Sequence, residues 1–410
     1  MRALKITATL VVLLFGTCLK SQSLDYASVT PERLINPEPH NWLQYRNTYN
    51  SWGYSSLADI NRKNVEQLKP VWTFSTGVVE AHQAPPIVNE GVMFITTPRN
   101  QVIAIDAERG EEIWRYRREL PDDLFQLHPT NRGVALHGDL VYLATVDACL
   151  VALNASTGEV VWEVEVADYL AGYYMTLAPL VVNDKVMIGM SGGEFGIRGF
   201  IQAFNTKDGT SAWKTFMVPG PGELGHETWT EDAWKRGGVP VWVTGSFDPE
   251  TNLTYWGTGN AGPWVADQRP GDNLYATSVV AIDADSGQIK AHHQYHWNDA
   301  WDWDEVAAPI LVDLKRKDRT LKSLVHAGRN GYLWILERTS NDIRFVDAVP
   351  YVRQNVFSSL NPESGRPTYH SNRVPKTGKR IEFCPSIWGG KDWPPTAYDP
   401  ELGYLYIPAN

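Results

Sequence analysis

One short pattern recurs at a nearly fixed interval along this chain. Segments 104–114, 152–162 and 203–213 each read Ala-x-Asp/Asn-x-x-x-Gly-x-x-x-Trp, and segment 281–287 repeats the frame with Ala291 in place of the tryptophan. Each copy follows an apolar, β-prone run, and its Asp/Asn and Gly suit a tight turn with a positive φ. A period of roughly 50 residues indicates stacked supersecondary units, whose tryptophans can pack between neighbours. We therefore predict an all-β radial repeat, a β-propeller.

The N-terminus and the charge constrain where the chain works and what it binds. Of the 410 residues, 43% are hydrophobic and 20% charged, which predicts a globular protein with a large core. Residues 1–23 combine two early basic residues, an apolar stretch at 6–15 and small residues Ser21 and Ser23, which predicts a secretory signal peptide. The net charge is −10, and it becomes −13 without that segment, which has three basic and no acidic residues. This acidity argues against nucleic acid and anionic membranes as partners.

The rest of the chain divides into an arm and a repeat region. Residues 24–60 are polar, contain three prolines and are predicted to form an N-terminal arm. Residues 61–410 are predicted to form a partial propeller domain. Irregular insertions at 218–238, 262–274 and 355–383 are long enough to be functional or partner-facing.

Cysteine content and the last residues raise a question of completeness. Cys149 and Cys384 are the cysteines that remain after the predicted signal peptide, and they could pair or stay apart. Residues 404–410 read as a strand that stops abruptly. We therefore expect a truncated sequence and an incomplete propeller.

Two motifs invite functional readings that their context disfavours. Gly257-Thr-Gly-Asn-Ala-Gly262 matches the G-x-G-x-x-G pattern of dinucleotide binding, which requires a helix to begin there. Pro263 and the turn-rich residues after it predict no such helix. His292, His293 and His296 resemble a metal cluster, but on a strand His293 points away from the other two. We expect packed or solvated histidines rather than a zinc site.

Three polar segments share a different chemistry. Segment 191–196 places a glutamate in a glycine-rich turn after a strand, segment 257–260 places an asparagine in an equivalent turn, and segment 299–304 supplies aspartates between tryptophans. Asp302 and Asp304 are two residues apart, so on extended backbone both point the same way. Carboxylate and amide oxygens are ligands for a hard cation. The alternative is that turns simply favour Gly, Asn and Asp.

These segments also carry a family resemblance. The chain resembles the quinoprotein alcohol dehydrogenases of the methanol/ethanol dehydrogenase type, which use pyrroloquinoline quinone (PQQ), over residues 41–410. The strings that carry it are Trp72-Thr-Phe-Ser-Thr-Gly77, Asn131-Arg-Gly-Val-Ala135, Ser191-Gly-Gly-Glu-Phe-Gly196, Gly257-Thr-Gly-Asn260, Arg269-Pro-Gly-Asp-Asn273, Gly328-Arg-Asn-Gly331 and Cys384-Pro-Ser386. The resemblance implies an eight-bladed propeller, incomplete here, with the quinone on its axis. It also implies that relatives pair the Cys384 position with a cysteine just beyond position 410.

The resemblance implies specific roles for the polar residues. Glu194, Asn260 and Asp302 correspond to the metal ligands, and Asp302 also to the catalytic base that takes the alcohol proton. Asp304 corresponds to the extra carboxylate of lanthanide-dependent relatives, where calcium enzymes carry a small residue, so a lanthanide is favoured over Ca²⁺. The competing reading of Asp304 is a turn residue that only accepts a hydrogen bond.

A further set corresponds to residues that contact the quinone. The set is Arg132, Thr176, Ser191, Gly192, Gly193, Trp242, Arg329 and Asp392. Within it the resemblance implies that Trp242 is the flat floor beneath the planar cofactor, and that Arg132 and Arg329 meet its carboxylates and carbonyl oxygens.

Several positions depart from the family pattern. The family places adjacent cysteines, a disulfide lid over the quinone, where this chain has Gln126 and Leu127. Gln83 replaces a glutamate, Pro240 a threonine and Asp392 an asparagine that are usual near the cofactor. Because none of these changes touches Glu194, Asn260 or Asp302, we expect a divergent enzyme with altered cofactor affinity or substrate preference.

The resemblance implies a periplasmic dehydrogenase that oxidises small primary alcohols to aldehydes. Hydride passes to the metal-activated quinone and electrons pass to a cytochrome c; a homodimer is also compatible with the family. One alternative is a non-catalytic propeller scaffold, which needs the repeats but has no use for Glu194, Asn260 and Asp302 together. A quinoprotein acting on sugars or polymers is a second alternative, and the site residues leave it open.

Overall fold

The computed structural model describes residues 26–80, 82–316 and 319–410. The predicted signal peptide, residues 1–23, lies outside these residues. Within them the protein is nearly all β, as predicted, with five four-stranded antiparallel sheets and two two-stranded hairpins. Each four-stranded sheet is built from four consecutive strands, which is the organisation of a propeller blade.

The strands are β1 Ile87–Asn89, β2 Val92–Thr97, β3 Gln101–Asp106, β4 Glu112–Arg117, β5 Ala135–His137, β6 Leu140–Ala144, β7 Cys149–Asn154, β8 Val160–Glu165, β9 Leu180–Val182, β10 Lys185–Gly189, β11 Phe200–Asn205, β12 Ser211–Phe216, β13 Ser246–Asp248, β14 Leu253–Gly257, β15 Ser278–Asp283, β16 Ile289–Gln294, β17 Ile310–Arg316, β18 Arg319–Ala327, β19 Tyr332–Arg338, β20 Ile343–Pro350, β21 Phe357–Leu360, β22 Pro367–Tyr369, β23 Ala397–Asp399 and β24 Tyr404–Tyr406. One short α-helix, α1, spans Pro31–Ile35. The 3₁₀ turns are Val65–Gln67, Tyr169–Ala171, Gly193–Phe195, His226–Thr228, Ala233–Arg236, Ala266–Gln268 and Ser371–Arg373.

The sheets are arranged so that their first strands meet. Strand β5 lies against β9, and β13 lies against β17, while the outer strands β16 and β20 also approach each other. These contacts place the first strands of neighbouring sheets side by side, as around a common axis. Loops at one end of the sheets can therefore converge on a shared site.

The recurring turn has the geometry that its residues predict. Asp106 Oδ1 accepts hydrogen bonds from the backbone N–H groups of Glu108 and Arg109, each at 3.0 Å. Gly110 closes the turn with a φ of +72°, in the region that favours glycine. The aspartate therefore caps the turn and the glycine lets the chain reverse into β4.

Tryptophans join the first three sheets each to the next, as predicted. Trp114 Nε1 donates to the Ala155 carbonyl at 2.9 Å, and its ring covers Gly158 so closely that an added Cβ would lie 2.5 Å from it. Trp162 and Trp213 repeat both contacts on the following units. A side chain in β4 thus packs on the turn after β7, which fixes the angle between adjacent sheets.

Two docking contacts lie outside the pattern found in the sequence. Trp72, which follows no copy of the motif, donates Nε1 to the Ala107 carbonyl at 3.1 Å and covers Gly110. Phe345 covers Gly365 in the turn between β21 and β22, where no tryptophan is available. This hairpin shows that the prediction of an irregular insertion across 355–383 is wrong in part.

The two cysteines do not pair with each other. Cys149 is a free thiol buried on β7, and Cys384 is a free, half-buried thiol in the segment after β22. Burial raises the pKa of the Cys149 thiol to about 12.

Among the described residues, no helix is long and apolar enough to cross a membrane.

Candidate cofactor and metal site

A cavity of about 450 Å³ brings together ten of the twelve predicted site residues. The ten that line it are Arg132, Thr176, Ser191, Gly192, Glu194, Trp242, Asp302, Asp304, Arg329 and Asp392. The other two lie directly behind the wall: the Asn260 N–H donates to Asp304 Oδ1 at 2.5 Å, and a Cβ on Gly193 would lie 2.9 Å from Pro240.

The topology of the sheets explains why these residues meet. Ser191 to Glu194 follow β10, Asn260 follows β14 and Arg329 follows β18, which are the second strands of three sheets. Asp302 follows β16, a fourth strand that runs parallel to the second strand of its sheet. Second and fourth strands end at the same rim, so their following loops converge there.

Two carboxylates stand side by side in a largely buried setting. Burial, together with the neighbouring Asp304, raises the pKa of Asp302 above its usual range. Burial likewise raises the pKa of Asp304, with Glu194 acting in the same direction. Their negative charge is therefore poorly compensated by the protein alone, and this is the condition under which a bound cation is stabilising.

Asp304 is held in place from two sides. Its Oδ1 accepts the Asn260 N–H, and its Oδ2 accepts Trp242 Nε1 at 2.9 Å. A Cβ on Gly259 would lie 2.5 Å from Oδ1, so only glycine leaves room for this carboxylate. Asp304 thus accepts hydrogen bonds, but from residues 44 and 62 positions away and not within a turn. Because a carboxylate has about four acceptor positions, both oxygens can also face an ion.

The other proposed ligands differ in exposure. Asn260 is buried, and its amide can donate to Asp304 Oδ1 and accept from Trp264 Nε1, each at 3.0 Å. Glu194 lies exposed in the cavity wall and makes no hydrogen bond through its carboxylate within the part of the chain that is described. Among those residues no three His, Cys, Asp or Glu side chains converge tightly enough to hold an ion by themselves. An ion at this site therefore requires the Asn260 amide as a further ligand. It also requires the Glu194 carboxylate to lie closer to Asp302 and Asp304.

The cavity has an aromatic floor flanked by cations. The Arg132 guanidinium lies 4.7 Å from the ring centroid of Trp242 and 5.1 Å from that of Trp393. Its Nη1 donates to Thr176 Oγ1 at 2.7 Å, and Thr176 Oγ1 lies 3.1 Å from Ser191 Oγ. Arg132 Nε is buried and has no partner among the described residues, which leaves a donor free for a ligand. Burial lowers the pKa of Arg132 to about 10, so it remains charged at neutral pH.

A second cation is tied to an acid at the cavity edge. Arg329 lies 5.8 Å from the Trp242 centroid and forms an ion pair with Asp392. Its Nη1 donates to the Asp302 carbonyl at 3.2 Å. Arg329 therefore joins the floor, the loop of Asp302 and Asp392.

The positions that depart from the family pattern surround the mouth. Gln83, Leu127 and Pro240 all line the cavity. Gln83 Oε1 is buried and unpartnered in the described part of the chain, so it too can serve a ligand. Trp393 and Trp388 also line the cavity, and sequence reasoning missed both. They lie in an irregular segment whose only signal is a local excess of tryptophan.

The two disfavoured motifs have the structural roles expected of them. Gly257 to Gly262 lead from β14 toward the single 3₁₀ turn Ala266–Gln268, which is not the helix that a dinucleotide site requires. His293 stacks on Phe345, and His296 is buried beside Asp299 with 3.0 Å between Nε2 and Oδ1. His293 and His296 are therefore packed inside the protein, which is one of the two predicted outcomes.

Comparisons with known proteins identify the family. The family model described as "PQQ: Glucose/ethanol/alcohol dehydrogenase, beta-propeller domain" matches residues 42–346. Quinoprotein alcohol dehydrogenase PedH of Pseudomonas putida is 40% identical over 87% of this chain and 64% of its own length. Quinohemoprotein alcohol dehydrogenase ADH-IIG of Pseudomonas putida is 36% identical over 94% of this chain and 56% of its own length. The lanthanide-dependent methanol dehydrogenase of Methylacidiphilum fumariolicum is 33% identical over 95% of this chain and 68% of its own.

Solved structures agree on fold and family. A europium-containing methanol dehydrogenase superposes with a TM-score of 0.88 at 33% identity, covering 92% of this chain and 70% of its own. The chain spans less than two thirds of the length of the first two relatives named above. The fold, the docking tryptophans and these matches place the chain in the PQQ-dependent alcohol dehydrogenase β-propeller family.

Proposed function

We propose that this protein is a periplasmic PQQ-dependent dehydrogenase that oxidises primary alcohols to aldehydes. Asp302 would take the alcohol proton, a bound quinone would supply the hydride acceptor, and a cytochrome c would be the electron acceptor. The observation that carries the proposal is the single cavity shared by Asp302, Asp304, Trp242 and Arg132. Relatives named as quinoprotein alcohol and methanol dehydrogenases, one of them cytochrome c-linked, support it.

The residues present fit both PQQ and a metal ion. The under-compensated carboxylates Asp302 and Asp304 suit a cation, and the free Nε of Arg132 suits an anionic ligand group. When bound, the quinone supplies the hydride acceptor and the ion supplies Lewis-acid polarisation. Asp302, Asp304, Asn260 and Glu194 would hold the ion.

The protein's own residues then perform three tasks. Trp242 offers a flat apolar surface, and Arg132 and Arg329 offset negative charge beside it. Asp302 accepts the hydroxyl proton, since it lines the cavity and its backbone is fixed at both N–H and C=O. Trp393 covers Arg132 and helps to exclude water from the floor.

We propose a lanthanide rather than Ca²⁺ as the ion. Asp304 adds a second carboxylate two residues after Asp302, and both line the cavity. A trivalent ion gains more than a divalent one from each added anionic ligand. The europium-containing and lanthanide-dependent relatives support this choice.

The test is a dye-linked assay on the full chain with added PQQ, ethanol, and either La³⁺ or Ca²⁺. We expect ethanol-dependent dye reduction with La³⁺, and a loss of at least about 100-fold in Asp302→Asn, because the base is removed. Asp283→Asn is the matched control, since this aspartate caps a repeat turn where other copies use asparagine.

Each outcome bears on a different part of the proposal. Absence of dye reduction with either metal would favour the non-catalytic scaffold. Activity with Ca²⁺ that La³⁺ does not increase would refute the lanthanide. Activity with glucose that exceeds activity with ethanol would favour a sugar substrate.

A further inference from the structure

Behind the cavity, a polar cluster lies closed to solvent. Its members are all buried: His296, Asp299, Glu305, His326 and Asn330. None of them is among the residues that line the cavity, so they do not touch a molecule bound there. Buried ionisable groups are costly unless they are paired and hydrogen-bonded, so a cluster of this size requires a reason.

The cluster meets the cavity at the backbone of Asp302. This residue has a φ of +63°, a left-handed conformation that is unusual for an aspartate. Its N–H donates to Asp299 Oδ2 at 3.1 Å, and its carbonyl accepts from Arg329 Nη1 at 3.2 Å. Side chains therefore hold both polar backbone groups of this residue, and the direction of its carboxylate depends on them.

The cluster anchors Asp299 through its side chain and Arg329 through its backbone N–H. Asp299 Oδ1 lies 3.0 Å from His296 Nε2, and because an ionised carboxylate only accepts, the imidazole donates here. The Arg329 N–H donates to Glu305 Oε2 at 3.1 Å. His326 Nε2 lies 2.7 Å from the same Glu305 oxygen and fixes it.

His296 lies between the two anchors, and Asn330 joins its ring to Glu305. Asn330 Nδ2 lies 3.4 Å from His296 Nδ1, on the opposite side of the ring from Asp299, and donates to Glu305 Oε1 at 2.8 Å. The ring packs edge-on against Trp301 and Trp303, with centroid distances of 6.3 and 5.8 Å. The imidazole is thus enclosed between two buried carboxylates and two indoles.

We propose that His296 is a positioning residue that fixes the Asp302 carboxylate by holding Asp299, with Asn330 joining the imidazole to Glu305. The inference rests on the proposed function, in which Asp302 is the base and a metal ligand. Outer partners that orient a ligand typically change metal affinity or activity by about 10- to 100-fold when removed. His296 therefore acts through Asp299, without contact with substrate or cofactor.

The test compares three variants of the full chain. His296→Leu removes the donor, His296→Gln keeps an N–H donor of similar reach, and His293→Leu is the matched control. His293 is a buried histidine of the same region that packs on Phe345 and makes no contact with Asp299. The measurements are kcat and KM for ethanol with PQQ and La³⁺, thermal unfolding, and Tb³⁺ binding by tryptophan-sensitised luminescence without substrate.

We expect His296→Leu to lower kcat and Tb³⁺ affinity about 10- to 100-fold. We expect KM to change less than about threefold, because substrate contacts remain. His296→Gln should recover most of both losses, and His293→Leu should resemble the wild type. If His296→Leu does not fold, Asp299→Asn tests the same link and should reproduce the losses.

The outcomes separate this inference from the proposed function. Equal kcat and Tb³⁺ affinity in His296→Leu and His293→Leu would overturn the positioning role. Equal losses in His296→Leu and His296→Gln would do the same, since only the donor is restored. A wild-type chain that neither binds Tb³⁺ nor oxidises ethanol would instead overturn the proposed function.

Discussion

The contact between Trp114 and Gly158 gives a quantitative test of how the units are joined. Gly158 has a φ of +74°, and an alanine Cβ there would lie 2.5 Å from the Trp114 ring. The left-handed conformation costs an alanine about 1–2 kcal/mol, and relief of the overlap costs about 1–3 kcal/mol more. We therefore expect Gly158→Ala to lower the free energy of unfolding by about 2–5 kcal/mol.

Removing the tryptophan changes that cost in a predictable way. Trp114→Ala should lower the free energy of unfolding by about 3–5 kcal/mol, because a buried ring and its hydrogen bond to Ala155 are lost. In the Trp114→Ala background, the Cβ added by Gly158→Ala meets no ring. The substitution should then lower the free energy of unfolding only by the cost of the left-handed conformation. The double-mutant cycle should therefore show a coupling energy of about 1–3 kcal/mol.

The assay is urea unfolding followed by far-UV circular dichroism, with unchanged m-values as the check on the analysis. Gly91→Ala is the control, because Gly91 has a φ of +79° and no atom within 4 Å of an added Cβ. Additive effects within about 0.5 kcal/mol would refute the docking argument. So would a cost for Gly158→Ala that equals the cost for Gly91→Ala.

Three further predictions concern charge and accessibility. Asp304→Ala should weaken Tb³⁺ binding by at least about tenfold, or about 1.4 kcal/mol, and should weaken Ca²⁺ binding less. Luminescence titration measures Tb³⁺ binding and competition with Tb³⁺ measures Ca²⁺ binding; equal losses for the two ions would contradict the prediction. Burial and two neighbouring histidines lower the pKa of His293 to about 3, so the folded state loses stability as the pH falls below about 6.5 toward 3. His293→Leu should flatten that decline in pH-dependent urea unfolding, and an unchanged slope would contradict it. Iodoacetamide at pH 8 should label Cys384 and spare buried Cys149 in the native protein, which mass spectrometry checks; equal labelling would contradict it.

The repeat could be predicted because its residues act locally. The turn around Asp106 and Gly110 is closed by hydrogen bonds within five residues, so its sequence specifies its shape. The contact of Trp72 with Gly110 could not be found in the same way. It joins a segment without the motif to one that has it, and only the folded chain shows that the two are adjacent.

The candidate site likewise contains residues that the sequence indicates and residues that only the folded structure shows. Asp302 and Asn260 stand out in the sequence because each follows a strand and carries the chemistry of a metal ligand. Glu305 carries the same chemistry, but no pattern in the sequence distinguishes it, because its role depends on the residues that surround it. Its carboxylate accepts hydrogen bonds from the Arg329 N–H and from Asn330, two residues more than twenty positions away. A buried acid is satisfied by groups from other loops, so its role depends on packing that a linear pattern does not record.

The arrangement around Asp302 determines which substitutions change what enters the cavity and which change the direction of the base. The residues that would touch the ion or the quinone are few, and they lie on loops that the sheet ends bring together. Of the two side chains that hold Asp302 in its left-handed conformation, Arg329 lines the cavity, whereas Asp299 belongs to the buried layer that contains His296 and Glu305. Substitution at the mouth, as at Leu127, therefore alters what enters the cavity and leaves the direction of the base intact. Substitution in the buried layer alters that direction without changing a single residue of the cavity wall, so the two kinds of change can be told apart by whether KM or kcat responds.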